Sequence, residues 1–545
     1  MLAASLRWFS RFGLMAGALC ASTVACSSAD TTPGGSGSTG DAPYDYVPPG
    51  KADDYRSTTG QEYALLAIDS VTLSDADQQL SGAERAAAAE ELVKLKFKAL
   101  SFFIYEYMAS KEHEDSNYGY GGFRTTVRQQ TFESLDISER SNEPGTYDFL
   151  FSAEVGGPKD LLKQLPLEAN GITFKLALPI LTTAEIESGS YSSKYSHFDP
   201  SKYDASQISY LDVDIEPKPM EPDAYPDYAS WFADGVLDVA IHVGGDYNAA
   251  RYDLQTAKDI FARLQSDLHL TAPVQSFEEL KLDSGPFTGT LDANGTPVKL
   301  EVYLLHPDMA QEPGVGYQGL IDAYKASAST RDIVIYDGHA GYDASYSGVV
   351  VHYNPRWAIP ADDFATLDMP DKYQLFFFNG CKTYTTYADS LYANPKKTTA
   401  NLDVITTVNF SWLSEMTRIT TDLLGGFTRR VSDTHVPVSY DHLLADMNKG
   451  RSWDVIYGVH GLSDNPRISP YADVGTLCGA CSGNSQCPGA DNLCVKISPT
   501  NSVCGVACTD DSGCPDGYKC RSVAASGSSL ISAAQCMPAA QACGG

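Results

Sequence analysis

Between residue 27 and residue 477 the chain contains a single cysteine, Cys381. That stretch has no disulfide framework of its own and must be held by hydrophobic cores. Positive charge is scarce as well. Thirty-nine Lys and Arg stand against 69 Asp and Glu, a formal net charge of −30. Such acidity argues against nucleic acid or a bare anionic membrane as a partner and reads as a solvated surface. Beyond the first residues no run is apolar enough for a transmembrane helix. There is no P-loop, no dinucleotide fingerprint and no nucleophile elbow, so phosphate cradling, nicotinamide chemistry and serine hydrolysis have no motif to rest on. His113-Glu114 opens a zincin motif, but no second histidine follows at helical spacing. His242, His352, His435, His442 and His460 have no spacing that demands a metal. No metal and no cofactor are expected.

What is present begins with targeting. Residues 1–25 read as an export signal, with Arg7 and Arg11 ahead of the apolar run Phe12–Cys20. The run Ser22-Thr-Val-Ala-Cys26 resembles a bacterial lipobox, which implies acylation of Cys26, although Thr23 stands where Leu or Val is usual. An ordinary signal peptide cut nearby is the other reading. Residues 26–60 are rich in Ser, Thr, Gly, Pro and Asp and read as a flexible tether. Ser27 resembles outer-membrane sorting. The expectation is a lipid-anchored protein of the bacterial cell envelope, at the outer membrane or cell surface, held to the membrane through Cys26.

Three units follow. Residues 61–225 read as an N-terminal α+β domain. Its helix spans 83–110, and its strand-like runs start at Tyr147, Thr173 and Ile208. A Pro-rich boundary lies at Glu216–Asp223. Residues 230–470 alternate strand and helix, with strands expected at 237–243, 299–305, 332–337, 373–379, 403–410 and 454–458. Helices are expected at 253–268, 317–326, 414–424 and 440–447, and a hairpin around Asn294-Gly295. This alternation predicts an α/β fold, a mostly parallel sheet flanked by helices. Residues 478–545 form a cysteine module in which Cys481, Cys487, Cys494 and Cys504 are echoed by Cys508, Cys514, Cys520 and Cys536. Cys478 and Cys543 bracket the pair of repeats. Only Cys478 and Cys481 have zinc-knuckle spacing, so the ten cysteines read as disulfides. The module resembles the dickkopf-type cysteine-rich fold, and that resemblance implies no catalysis.

Two apolar runs carry the chemistry. Asp332-Ile-Val-Ile-Tyr-Asp-Gly-His339 ends in a histidine, and Tyr373-Gln-Leu-Phe-Phe-Phe-Asn-Gly-Cys381 ends in a thiol. In parallel sheets reactive groups sit beyond the carboxyl ends of neighbouring strands, and both residues fall there. A cysteine nucleophile needs an imidazole and oxyanion donors. With the surrounding order of elements, this arrangement resembles the caspase-like superfamily of cysteine peptidases over residues 230–470. The resemblance implies that Cys381 attacks the scissile carbonyl and that His339 protonates the leaving amine. It also implies that the N–H of Cys381 helps bind the oxyanion. Where the family has glycine after the histidine this chain has Ala340, between Gly338 and Gly341. Lys382–Tyr387 match no caspase or legumain signature.

Asp337 lies two residues before His339 and is a candidate to orient it, with strand alternation leaving this open. His306 ends a strand on the same rim and is a candidate to line the cleft. The resulting expectation is an envelope lipoprotein acting as a cysteine endopeptidase on protein or peptide. The rival is a non-catalytic surface binding or adhesion protein that keeps the fold as a scaffold. An acyltransferase or transpeptidase would use the same dyad.

Overall fold

The computed structural model describes residues 55–112, 126–128, 137–195, 198–340, 348–431, 433–448, 455–471, 476–489, 491–515, 517–524, 532–539 and 543. The signal, most of the tether, the acylation candidate Cys26 and the His113-Glu114 pair lie outside these residues.

The first sheet contains β1 (Gly60–Thr72), β2 (Thr126–Arg128), β3 (Ser138–Glu139), β4 (Thr146–Pro158), β5 (Thr173–Pro179) and β6 (Ile208–Pro217). All its pairings are antiparallel, in the order β2-β4-β1-β6-β5 with β3 on the edge of β4. Strand alternation turns Tyr63, Leu65, Ala67 and Val71 toward one face. There they meet Phe97, Leu100, Phe103 and Ile104 of the helix Gly82–Glu112 in one core. The opposite face leaves Ile68 and Tyr210 exposed.

The second sheet contains β7 (Val236–Val243), β8 (Phe287–Ala293), β9 (Thr296–Leu305) and β10 (Ile333–Asp337). A hairpin of β11 (Gly348–His352) and β12 (Trp357–Pro360) stands apart from it. It resumes with β13 (Gln374–Asn379), β14 (Leu402–Thr407), β15 (Arg430–Val431), β16 (Thr434–His435) and β17 (Tyr457–His460). The order among the described residues is β15-β16-β8-β9-β7-β10-β13-β14-β17. The centre, β9-β7-β10-β13-β14, is parallel throughout, and β8 and β17 pair antiparallel at its flanks. β10 and β13 are buried along their whole length. This is why their sequences are continuous apolar runs instead of alternating ones. The helices Tyr252–Ser266 and Leu413–Phe427 pack on each other and contribute Ile260, Leu264, Ile419 and Leu423 to the core. The mixed α/β sheet flanked by helices is the expected class.

Two local expectations differ from the structure. The strand expected at 454–458 is Tyr457–His460, because its register on β14 is set by Thr407↔Tyr457 and Val404↔His460. Residues 55–59, polar enough to read as tether, are built into the fold. Tyr55 is buried, Arg56 bridges to Val459, and the Ser57 hydroxyl donates to the Tyr457 carbonyl at 2.5 Å. Composition missed this because one aromatic ring, backbone bonds at the edge of β17 and the Arg56 pairing with Asp441, 385 residues away, do the anchoring.

The terminal module is closed by Cys481–Cys494 and Cys487–Cys504 in its first repeat. Cys508–Cys520 and Cys514–Cys536 close the second, and Cys478–Cys543 clips the ends.

Candidate functional site

The site grows out of one register. β10 and β13 run parallel with Asp337 opposite Asn379, so Gly338-His339 and Gly380-Cys381 leave the sheet side by side. The Gly338 N–H donates to the Asn379 carbonyl at 3.3 Å. The two segments approach so closely that side chains are excluded at Gly380. A Cβ there would lie 2.7 Å from the Ala340 methyl and 3.0 Å from the Gly338 carbonyl. The Ala340 methyl therefore fits because its neighbour across the strands is Gly380.

His339 is 7% exposed. Its Nε2 lies 2.9 Å from Asp246 Oδ1, on the loop after β7. With Nε2–H donated to this carboxylate, Nδ1 is the basic nitrogen, the usual way a carboxylate selects a tautomer. Tyr247 stacks on the imidazole at 4.7 Å and Tyr353 meets it edge-on at 5.4 Å. The His339 carbonyl accepts from the Tyr336 hydroxyl at 2.6 Å, which in turn accepts from the Val350 N–H at 3.1 Å, tying the histidine segment to the β11–β12 hairpin. Burial pushes the Asp246 carboxyl up. The hydrogen bond from His339, the Asn248 N–H and the nearby imidazole charge outweigh it, leaving Asp246 below its ordinary value.

Asp337 is not the partner of His339. It is fully buried and points the other way, its Oδ1 accepting from Asn379 Nδ2 at 3.1 Å and its Oδ2 from the Thr420 hydroxyl at 2.8 Å. Desolvation raises its pKa to about 7 against the opposing effect of those two donors. The end of the strand decides the matter: Asp337 still belongs to β10, whereas His339 has left it and no longer follows the pleat. His306 is also displaced from its expected role. It follows β9 and lines a neighbouring small cavity with His242, Tyr336 and Val349. Both its ring nitrogens are buried without a hydrogen-bond partner among the described residues. The ring packs on Phe277 at 4.7 Å, and burial lowers its pKa to about 4.

Cys381 is 3% exposed, with Sγ 3.8 Å from the Ser411 carbonyl. The module's ten cysteines pair among themselves, so Cys381 is outside their framework. Lys382 follows in the left-handed region, with φ 56°. Its N–H donates to the Asn409 carbonyl at 3.0 Å, its ammonium lies 4.8 Å from the Phe410 ring centre, and burial pulls its pKa down to about 7. A 3-10 turn, Thr383–Thr385, comes next. The small cavity at His339 is bounded by Asp246, Asp253, Asp337, Gly338 and Met416, and Cys381 is not part of its wall. Asp246 was the residue that sequence reasoning missed. Its signal was the Gly244-Gly245-Asp246 corner closing an apolar strand on the same rim.

No protein-family model matches the chain, and no curated protein matches it. Among solved structures a chain described as a protease matches with 13% identity and a TM-score of 0.25. The match covers 56% of this chain and 61% of that chain, less than two-thirds of the neighbour's length.

Proposed function

We propose that this chain is a cell-envelope lipoprotein whose α/β region is a caspase-like cysteine endopeptidase acting on protein or peptide substrates. The observation that carries the reading is the in-register exit of Gly338-His339 and Gly380-Cys381 from adjacent central parallel strands. The carboxylate of Asp246 on the Nε2 of His339 adds to it. Cys381 Sγ attacks the scissile carbonyl. The oxyanion is met by backbone N–H groups of Cys381 and Ala340. His339, oriented by Asp246, delivers its proton to the leaving amine, and water then hydrolyses the thioester. The net negative charge favours neither nucleic acid nor bare anionic lipid as partner, and attachment to the membrane is through the acylated Cys26.

One observation favours the scaffold reading. His339 and Cys381 are 7% and 3% exposed. A binding protein that retains the fold would have this closed site. Peptide-library cleavage under reducing conditions separates the two. The peptidase reading expects cleavage that disappears in Cys381→Ala and falls about 10²- to 10⁴-fold in Asp246→Asn. Absence of cleavage under reducing conditions, or cleavage unaffected by Cys381→Ala, would refute it.

A further inference from the structure

The turn after Cys381 is held from two sides. On the inner side the Thr383 hydroxyl donates to the Phe378 carbonyl at 3.1 Å and accepts from the Thr407 N–H at 2.9 Å, both within the α/β sheet. On the outer side the support comes from the N-terminal region. The hydroxyl of fully buried Tyr384 donates to Glu62 Oε1 at 2.5 Å, across 322 residues of chain. Glu62 lies on β1 and is itself buried, and its second oxygen is 3.0 Å from Lys218 Nζ after β6. Tyr55 meets the Tyr384 ring edge-on at 5.4 Å, and the two share a core with Val408 and Ile456. Gly156 of β4 lies flat on the same ring, where a Cβ would approach it to 2.9 Å.

We propose that Glu62 and Tyr384 are positioning residues for Cys381, a latch through which the N-terminal α+β region forms the outer wall of the nucleophile turn. The inference deepens the peptidase reading and rests on Cys381 being its working sulfur. A hydrogen bond from a buried phenol to a buried carboxylate is a strong one, and its loss strands a polar atom in a low-dielectric site. Lys382, in its left-handed conformation, links Cys381 directly to the latched turn, so release of Tyr384 loosens the backbone that presents the sulfur. The N-terminal region is on this account part of the site and not an appended recognition unit.

The test is the rate at which iodoacetamide alkylates Cys381 in the full-length chain after mild reduction with a small thiol, read by mass spectrometry of the peptide that carries it. Because the sulfur is almost fully buried, labelling reports local opening of the turn. Glu62→Ala and Tyr384→Phe are each expected to accelerate labelling about tenfold or more, as loss of a hydrogen bond to a charged group implies. Glu62→Gln keeps an oxygen for the Tyr384 hydroxyl and is expected to stay near the native rate. Tyr63→Phe removes another buried bond of β1, from the Tyr63 hydroxyl to the Pro158 carbonyl at 2.6 Å, and is expected to leave the rate unchanged. Unchanged labelling in either Glu62→Ala or Tyr384→Phe overturns the latch, and so does equal acceleration in Tyr63→Phe. Accelerated labelling without any Cys381-dependent peptide cleavage would refute the peptidase reading and leave the latch standing. Cleavage with unchanged labelling would refute the latch alone.

Discussion

Replacing Asp337 with asparagine should change how the stability of the α/β region depends on pH. The carboxyl is fully buried between β10 and the helix Leu413–Phe427, with one donor on each oxygen. Burial lifts it from 3.8 to about 7, and Asn379 and Thr420 offset only part of that rise. A difference of about 3 pH units at 1.36 kcal/mol each corresponds to about 4 kcal/mol. The sign follows from proton binding. Below about pH 4 the group is protonated in both folded and unfolded chains and costs nothing. As pH rises toward 7 the unfolded chain loses this proton first, so the folded state binds more protons and stability falls. Above 7 the full penalty of about 4 kcal/mol persists.

Asp337→Asn removes that titration, and any cost from the altered hydrogen bonds is a constant offset across pH. The assay is thermal or urea unfolding followed by tryptophan fluorescence from pH 4.5 to 8. The signal belongs to the α/β region, since beyond the signal-segment Trp8 the chain's tryptophans are Trp231, Trp357, Trp412 and Trp453. The variant's stability relative to the native chain should rise with pH by up to about 4 kcal/mol and then level off above 7. Parallel pH profiles for the two proteins would refute the assignment of a buried, raised carboxyl at this position.

Gly380→Ala should destabilise the fold by about 1–3 kcal/mol, because its methyl would crowd the Ala340 methyl, the Gly338 carbonyl and the Thr383 methyl. Combining it with Ala340→Gly should recover part of the loss in a denaturation midpoint. Tyr336→Phe should cost about 1–3 kcal/mol by stripping the Val350 N–H and the His339 carbonyl of their shared partner. Hydrogen exchange at Val350 should rise with it. Opening the clip by Cys478→Ser with Cys543→Ser removes a closure of 65 residues, about 4 kcal/mol in the chain-entropy account. Limited proteolysis should then cut the module while leaving the α/β region intact. In Asp246→Asn, Cys381-dependent cleavage should slow, since the amide no longer fixes the tautomer and orientation of the His339 ring.

The α/β architecture was legible in the sequence because parallel strands buried on both faces are mostly apolar along their length. Leu237–Val243, Ile333–Asp337 and Gln374–Asn379 announce themselves as apolar runs that end at glycine or at the last strand residue. The repeat of cysteines likewise announced a disulfide module, because a short segment with so little core must be cross-linked. The surroundings of His339 were not legible in the same way. Asp337 was near it in sequence and proved to face Asn379 and Thr420. The carboxylate that meets the ring, Asp246, is 93 residues away.

Local pattern therefore determined which segments become strands and that a histidine and a cysteine end two of them. Only the tertiary structure decided which strands are neighbours, that Asp246 holds the imidazole, that residues 55–59 belong to the fold, and that Glu62 reaches Tyr384. The physical reason is one of range. Burial and pleat write a period of a few residues into the chain. A hydrogen bond between side chains hundreds of residues apart depends on strand order and register, which no local period encodes.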